Sequence, residues 1–335
     1  MNKLKAALVG CGNVAQVHLK SIAENDKAEL VSVCDIVKSK ADKESEKYSC
    51  RGYYDFDEMI EKEKIDVLHI TTPHYLHPQM AIKAMKKGVN VLTEKPMAIE
   101  YSDALKMCET AEKNNVHLGV CFQNRYNSTS VFIKEKIASG EAGKLIGMRG
   151  IVSWRRDKDY FSDPWHGTLD KEGGGVVINQ SIHTIDLMQW LASSDVKKVS
   201  GSVSTKRLYD TIETEDTADA YIEFENGVSA LFFGSLNYVY NAPVFLEVVC
   251  ENMRFVLEDE LSVYYKDGHK DVITFEKGKG RKDYWGVNHA KLIDEFYNSV
   301  INGRPFFIDG REGAKAVKIV DMLYKSARKQ TAVKK

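Results

Sequence analysis

Apolar residues recur along this chain in two rhythms. From residue 1 to about 122, runs of strand length alternate with segments in which apolar residues return every three or four positions. That βαβα order predicts a parallel sheet covered on both faces. The expected strands are 4–9, 29–34, 65–71, 89–93 and 116–121, with helices near 13–24, 38–46, 76–86 and 101–114. After a helix near 129–138 the texture becomes strand after strand, at 144–155, 198–206, 217–224, 228–239, 244–250, 253–257, 261–265 and 271–275. Asn226-Gly227 between two alternating runs signals a two-residue hairpin. One helix, at about 178–192, interrupts the strands, and two more near 284–302 and 310–328 close the chain. The expected fold is α/β, with a doubly wound parallel sheet in a domain over 1–122. An α+β domain over 123–335 follows, with a large, mostly antiparallel open sheet and a C-terminal helix packing back on the first domain. The free face of that open sheet suits a homodimer or homotetramer.

The first strand runs into Gly10-Cys11-Gly12-Asn13-Val14-Ala15, a G-x-G-x-x-A turn of Rossmann type, and Asp35 ends the second strand twenty residues after Ala15. Gly10 permits the tight turn, Gly12 lets backbone N–H groups approach a pyrophosphate, and Ala15 lets the new helix lie close on the sheet. The diphosphate belongs at that helix N-terminus, where unpaired N–H groups favour an anion. A carboxylate at Asp35 pairs with a free ribose diol and repels a 2′-phosphate, so the expected cofactor is NAD. Lys38 nearby leaves NADP possible.

Composition narrows the class further. A net charge of −1 with 43% hydrophobic and 28% charged residues creates no field for nucleic acid or an anionic membrane. The N-terminus leads straight into a strand, and no apolar run approaches membrane-spanning length, so a cytoplasmic protein is expected. Six cysteines, at 11, 34, 50, 108, 121 and 250, show no metal spacing and read as small buried hydrophobes in a reducing compartment.

Ligands of open α/β sheets bind beyond the carboxyl ends of the strands. Strand 3 there ends in Thr71-Thr72-Pro73-His74-Tyr75-Leu76-His77, strand 4 in Thr93-Glu94-Lys95-Pro96, and strand 5 in Cys121-Phe122-Gln123-Asn124-Arg125-Tyr126. Pro96 confines Lys95 to extended geometry, and a lysine beside a nicotinamide has its pKa lowered toward working pH. The alternative is a loop lysine paired with Glu94. A second constellation, Glu172-Gly173-Gly174-Gly175 through Asn179, His183 and Asp186, places those last three on one helical stripe by i, i+4, i+7 spacing. His183 there is able to take a hydroxyl proton with Asn179 orienting its ring; a satisfied surface histidine is the plainer reading. Trp154, Tyr160, Trp165 and His166 precede the glycine run and offer aromatic faces with polar tips, which suit sugar rings or simply cover the core.

Taken together these motifs resemble the glucose–fructose oxidoreductase, inositol dehydrogenase and MocA (Gfo/Idh/MocA) family. The likeness runs through the Gly10–Ala15 turn, Thr72-Pro73 with His77, Glu94-Lys95-Pro96, the glycine run to His183 and Asp186, Gly286-Val287-Asn288-His289, and Gly303-Arg304-Pro305. It implies an NAD(P)-dependent oxidoreductase moving hydride between nicotinamide and a secondary ring hydroxyl of a sugar, glycoside or cyclic polyol. By the resemblance Lys95 and His183 are the catalytic pair, and Asn179 stands where many members carry aspartate, which removes a compensating charge from the imidazolium. Gly10, Gly12, Asn13, Val14, Ala15, Asp35, Thr72, Pro73, His77, Glu94, Lys95, Gln123 and Trp165 are the expected cofactor contacts. Arg125, Tyr126, Trp154, Tyr160, His166, Asn179, His183 and His289 are the expected substrate contacts. Two other readings stay open. One is redox-neutral glycoside cleavage by transient oxidation and elimination; the other is a non-catalytic nucleotide-bound sensor or scaffold.

Overall fold

The computed structural model describes residues 3–274 and 288–333. Its chain divides into two compact units, Met1–Gln123 with Asn288–Ala314, and Asn124–Val287 with Lys315–Lys335. This differs from a split into 1–122 and 123–335 by giving residues 288–314 to the first unit.

In that unit β1 (Leu4–Val9), α1 (Ala15–Ala23), β2 (Ala28–Cys34), α2 (Lys38–Tyr48), β3 (Arg51–Tyr53), α3 (Phe56–Lys62), β4 (Val67–Ile70), α4 (His77–Met85), β5 (Asn90–Thr93), α5 (Tyr101–Asn114) and β6 (Leu118–Val120) follow in order. The six strands pair in parallel as β3-β2-β1-β4-β5-β6, so the chain reverses direction across the sheet between β1 and β4. Central strands read as unbroken apolar runs because both faces are covered: Ala6, Ala7, Leu8, Val67, Leu68 and Ile70 are all fully buried. The pair β3 and α3 falls between the expected elements. Arg51 and Gly52 are exposed at the sheet edge, and α3 is only seven residues long, started by Asp55 accepting from the Glu58 N–H.

The second unit opens with α6 (Ser128–Ala138) and β7 (Leu145–Ser153), then α7 (Ile182–Ala192) and β8 (Val196–Ser204). The strands β9 (Thr217–Phe224), β10 (Ser229–Ser235), β11 (Phe245–Cys250), β12 (Met253–Leu257), β13 (Leu261–Tyr265) and β14 (Lys270–Ile273) complete its eight-stranded sheet. The order is β14-β13-β12-β11-β7-β10-β9-β8, antiparallel except where β10 runs parallel to β7. Helix α7 lies on β7 at Gly150, where a Cβ would meet Thr184 Cγ2 at 2.8 Å. On the other face Tyr221, Leu231 and Phe233 alternate with buried residues and stay 43%, 53% and 41% exposed.

The closing helices are α8 (His289–Asn302) and α9 (Gly310–Val333). The start of the helix expected at 284, residue 275 of the last expected strand, and Gly286-Val287 lie outside the described residues. Helix α8 belongs to the first unit because Phe296 packs on Gly119 and the Tyr297 hydroxyl bonds His69 at 2.8 Å. Two expectations are corrected. The β9–β10 hairpin has a three-residue loop, 225–227: Gly227 (φ +84°) donates to the Phe224 carbonyl, and Asn226 has no positive φ, so the two-residue turn that needs left-handed Asn is not formed. The helix expected from 178 is two pieces, a π-helical turn at Val176–Gln180 and α7 from Ile182, so Asn179, His183 and Asp186 do not share one regular α-helical stripe.

Candidate active site

The first unit holds a nucleotide cradle. Gly10 has φ +93°, and a Cβ on it would lie 2.8 Å from the Thr71 and Thr72 backbone, so the turn has no room for any other residue. Gly12 is different: a Cβ there would meet nothing within 4 Å. Asn13 and Val14 then lead into α1, whose N-terminus has no side-chain cap, and Ala15 is fully buried against the sheet. Open space above Gly12 and uncapped helical N–H groups are what a bound pyrophosphate needs. Asp35 accepts from the Cys11 N–H through Oδ2 and the Val37 N–H through Oδ1, both at 2.8 Å. The carboxylate thereby ties β2 to the glycine turn, and a carboxylate's remaining lone pairs suit a ribose diol.

Beyond β4 and β5 the loops are fastened by buried polar groups. His77 places Nδ1 2.8 Å from the Pro96 carbonyl and Nε2 2.7 Å from the Thr72 carbonyl, binding the half-buried Thr72-Pro73 loop to the Lys95-Pro96 loop, whose peptide bond is cis. Glu94 is the centre of a buried network. Its Oε1 accepts from His18 Nε2 at 3.0 Å and His289 Nε2 at 3.3 Å, and its Oε2 from the Lys95 N–H at 3.2 Å. Burial alone would raise the Glu94 carboxyl, but hydrogen bonds from His18 and His289 outweigh it and hold the pKa well below the usual range. With Glu94 ionised, His18 Nε2 must carry a proton. Since burial keeps His18 neutral, its Nδ1 accepts from His69 Nδ1 (2.9 Å), and His69 Nε2 accepts from the Tyr297 hydroxyl. His289, expected at the substrate, is therefore placed as a buried support for Glu94, and Glu94 itself braces the Lys95 backbone.

The second unit holds a polar and aromatic site. The backbone of the glycine run passes close to the chain's own residues: a Cβ at Gly174 would lie 1.9 Å from the Tyr324 hydroxyl, and one at Gly175 1.9 Å from the Glu215 carbonyl. Glu215 Oε1 accepts from the Gly175 and Val177 N–H groups at 3.0 Å and from Tyr324 at 2.9 Å. Asn179, in the π-helical turn, donates to Glu172 Oε1 at 2.5 Å and to the Tyr160 hydroxyl at 3.4 Å, and Gln180 donates to that hydroxyl at 3.2 Å. One hydrogen bond behind Asn179 stands an acidic side chain, the fully buried Glu172. Tyr160 packs on His166 with ring centroids 4.7 Å apart, and His166 on Trp165 at 3.7 Å. His166 Nδ1 pairs with Asp163, whose carboxyl is lowered despite its burial by hydrogen bonds from His166 and Trp165. His183 is half-buried in the first turn of α7.

Three expected contacts serve the core. Arg125, 1% exposed, is forked onto buried Asp186 through Nε at 2.8 Å and Nη2 at 2.6 Å, and also reaches Gln189. Tyr126 is buried beside it in sequence, and Trp154 is buried with its indole N–H on the Ala242 carbonyl at 3.1 Å. Gln123 is buried in the short 3-10 turn after β6. Glu172, Glu215 and Tyr324 went unassigned from sequence. Glu172 had a signal, a carboxylate heading the glycine run; the other two have none, since only tertiary folding brings them there.

Residues 4–122 match the model of an oxidoreductase family with an NAD-binding Rossmann fold, GFO_IDH_MocA, and residues 131–256 match a GFO/IDH/MocA C-terminal domain. The chain belongs to the Gfo/Idh/MocA oxidoreductase family. Among its relatives, D-glucoside 3-dehydrogenase of Escherichia coli K12 is 26% identical, over 98% of this chain and 97% of that protein. Myo-inositol 2-dehydrogenase of Thermotoga maritima is 24% identical, over 99% and 98%. The WlbA dehydrogenase of Bordetella pertussis, solved with NADH and UDP-GlcNAcA, superposes with a TM-score of 0.85 at 27% identity over 98% of this chain and 97% of that one. The family's NAD-binding domain thus coincides with the open Gly12 cradle and Asp35.

Proposed function

We propose that this Gfo/Idh/MocA member is an NAD-dependent dehydrogenase that oxidises a secondary ring hydroxyl of a sugar, glycoside or cyclic polyol. The observation that carries the reading is the cradle at Gly12, a glycine for which the protein's own packing gives no reason. When bound, NAD supplies the hydride acceptor. Gly10, Gly12, Asn13, Val14 and Ala15 would hold its diphosphate and Asp35 its ribose, with Thr72, Pro73, His77, Glu94 and Gln123 shaping the nicotinamide end. NADP use is limited by the Asp35 charge, and a preference for NADP beyond about tenfold, about 1.4 kcal/mol, would overturn that assignment.

Lys95 of the first unit and His183 of the second are the groups assigned to the hydroxyl proton. The Glu94 and His77 anchors fix the Lys95 loop. Asn179, backed by Glu172, gives the polar face of the second unit a fixed hydrogen-bonding direction, and Tyr160 with His166 and Trp165 forms the wall against which a sugar ring stacks. The test follows nicotinamide absorbance with NAD and a panel of inositols, hexoses, sugar acids and glucosides. Steady reduction by one class that falls about 10²- to 10⁴-fold in Lys95→Ala and His183→Ala supports the assignment. Aglycone release without accumulating NADH would show the redox-neutral route, and full activity in Lys95→Ala would remove its role.

The exposed Tyr221, Leu231 and Phe233 face of the second sheet is the proposed homodimer or homotetramer surface. A monomeric mass by light scattering at micromolar concentration would exclude it. No helix among the described residues is long and apolar enough to cross a membrane. The six free cysteines are in keeping with the proposed reducing, cytoplasmic setting.

A further inference from the structure

Arg156 is 8% exposed, yet among the described residues no carboxylate forms an ion pair with it. Asp157, its neighbour in sequence, is taken by Arg155 and Arg207, and Glu172 accepts from Asn179 and the Gly167 N–H. Buried charges are ordinarily paired, because removing a cation from water costs several kcal/mol. Arg156 instead stacks its guanidinium over the rings of Trp154 and Tyr160, each 5.1 Å from the ring centroid, an attraction that offsets part of that cost and fixes the plane of the group.

The direction of the fork is fixed as well. Nη1 donates to the Arg155 carbonyl and to Asn241 Oδ1, both at 2.7 Å. Nε and Nη2, the edge that grips a carboxylate or phosphate with two parallel hydrogen bonds, have no acceptor among the described residues and are not sealed from solvent. The same Tyr160 ring that carries Arg156 receives Asn179 and Gln180 on its hydroxyl, so the empty fork adjoins the proposed sugar wall.

We infer that Arg156 is the anion receptor of the substrate site, and that the substrate is an acidic sugar carrying a carboxylate or a phosphate. This rests on the reading of the Tyr160–Asn179 face as the sugar side. The test measures equilibrium binding by calorimetry to the NADH-loaded protein, where no oxidation occurs. The probes are several aldoses, each as the neutral sugar, the uronic acid, the uronic acid methyl ester and the 6-phosphate, with inorganic phosphate as a further arm. At least one acid should bind tenfold or more tightly than its neutral parent, the uronate and phosphate arms deciding which anion is used. In Arg156→Gln that acid-to-neutral ratio should collapse, while Arg156→Lys, which keeps the charge without the fork, should retain part of it; thermal melts of both show that they fold.

Acids that bind no tighter than their parents, binding by no member of the panel, a ratio that survives Arg156→Gln, or inorganic phosphate that binds as well as any acid would each overturn the inference. The absorbance assay with the same panel separates the two readings. Acids that bind through Arg156 but never reduce NAD leave the receptor standing and remove the dehydrogenase. Neutral sugars that are oxidised while acids do not bind do the reverse.

Discussion

Each unit buries a glutamate at its functional end, and the two carboxyls are shifted in opposite directions. Glu94 and Glu215 are each 5% exposed. Glu94 has donors on both oxygens, two of them imidazoles, and its carboxyl lies well below the usual range because the His18 and His289 bonds overcome the burial that would raise it. Glu215 gathers its three donors on Oε1 alone, and burial raises its carboxyl in spite of the Val177, Gly175 and Tyr324 bonds. Burial pushes both carboxyls up; the imidazole donors reverse the shift at Glu94, and the donors at Glu215 do not. The first unit uses a charged centre to brace the Lys95 loop. The second uses its glutamate as a backbone clamp on the glycine run.

The most disruptive way to break this comparison is to unseat the clamp. Gly175→Ala would drive a methyl group to 1.9 Å from the Glu215 carbonyl, a backbone atom that cannot step aside. The expected cost is about 4 kcal/mol or more, and most of the protein should lose its cooperative melt. The next step exchanges the acids. In Glu94→Gln the new amide must point N–H groups either at the two imidazole donors or at the Lys95 N–H, costing about 3 kcal/mol. Glu215→Gln keeps an oxygen for all three donors and should cost less than about 1 kcal/mol at pH 7. Equal losses in chemical denaturation would show that the donors around each carboxyl are not what separates the two sites.

Titration sharpens the same contrast. Burial lowers His18, His69 and His77 below the usual histidine value, so the folded first unit refuses protons that the unfolded chain takes up below about pH 6.5. Their contribution is present above that value and is lost as pH falls through the lowered pKa values, about 1.4 kcal/mol per pH unit for each proton. Glu215 has the opposite sign: its raised carboxyl favours folding at low pH, and that contribution is lost as pH rises through its folded pKa. Hydrogen exchange resolved by peptide should show protection in β1, β4 and α8 falling between pH 7 and pH 5. Protection at residues 175–180 should change less in Glu215→Gln than in the parent. A uniform pH response across both units would contradict this.

Most of the fold was legible in the sequence because periodicity reports burial. The central strands of the first sheet and the eight strands of the second follow from their apolar patterns within a few residues. What escaped has a common cause in tertiary structure. Arg51–Tyr53 is a short, polar edge strand with no pattern to read, and the break at Ser181 follows from clamping residues 175–177 to Glu215, forty residues away in sequence. Site chemistry was legible where it is local, as in Gly10–Ala15 and Glu94-Lys95. It was opaque where partners are distant: nothing at positions 18, 69 or 297 announces a relay ending on Glu94, and nothing around Arg125 announces Asp186 as its mate. Arg156 shows the complementary case, a residue whose meaning lies in the partner it lacks.

The smallest expected effect on stability is the most specific to function. Gly10 and Gly12 belong to one motif, but the structure gives them different reasons. Gly10 is required by its positive φ and by the Thr71 backbone, so Gly10→Ala should destabilise the protein with or without cofactor. Gly12 has neither constraint, and Gly12→Ala should leave the melt of the unliganded protein within about 0.5 kcal/mol of the parent. If the space above Gly12 is where the diphosphate meets the backbone, the added methyl should still weaken NADH at least tenfold, about 1.4 kcal/mol, by fluorescence titration. A normal melt with normal NADH affinity would mean the cofactor lies elsewhere. A lowered melt would mean that Gly12, like Gly175, is a packing glycine.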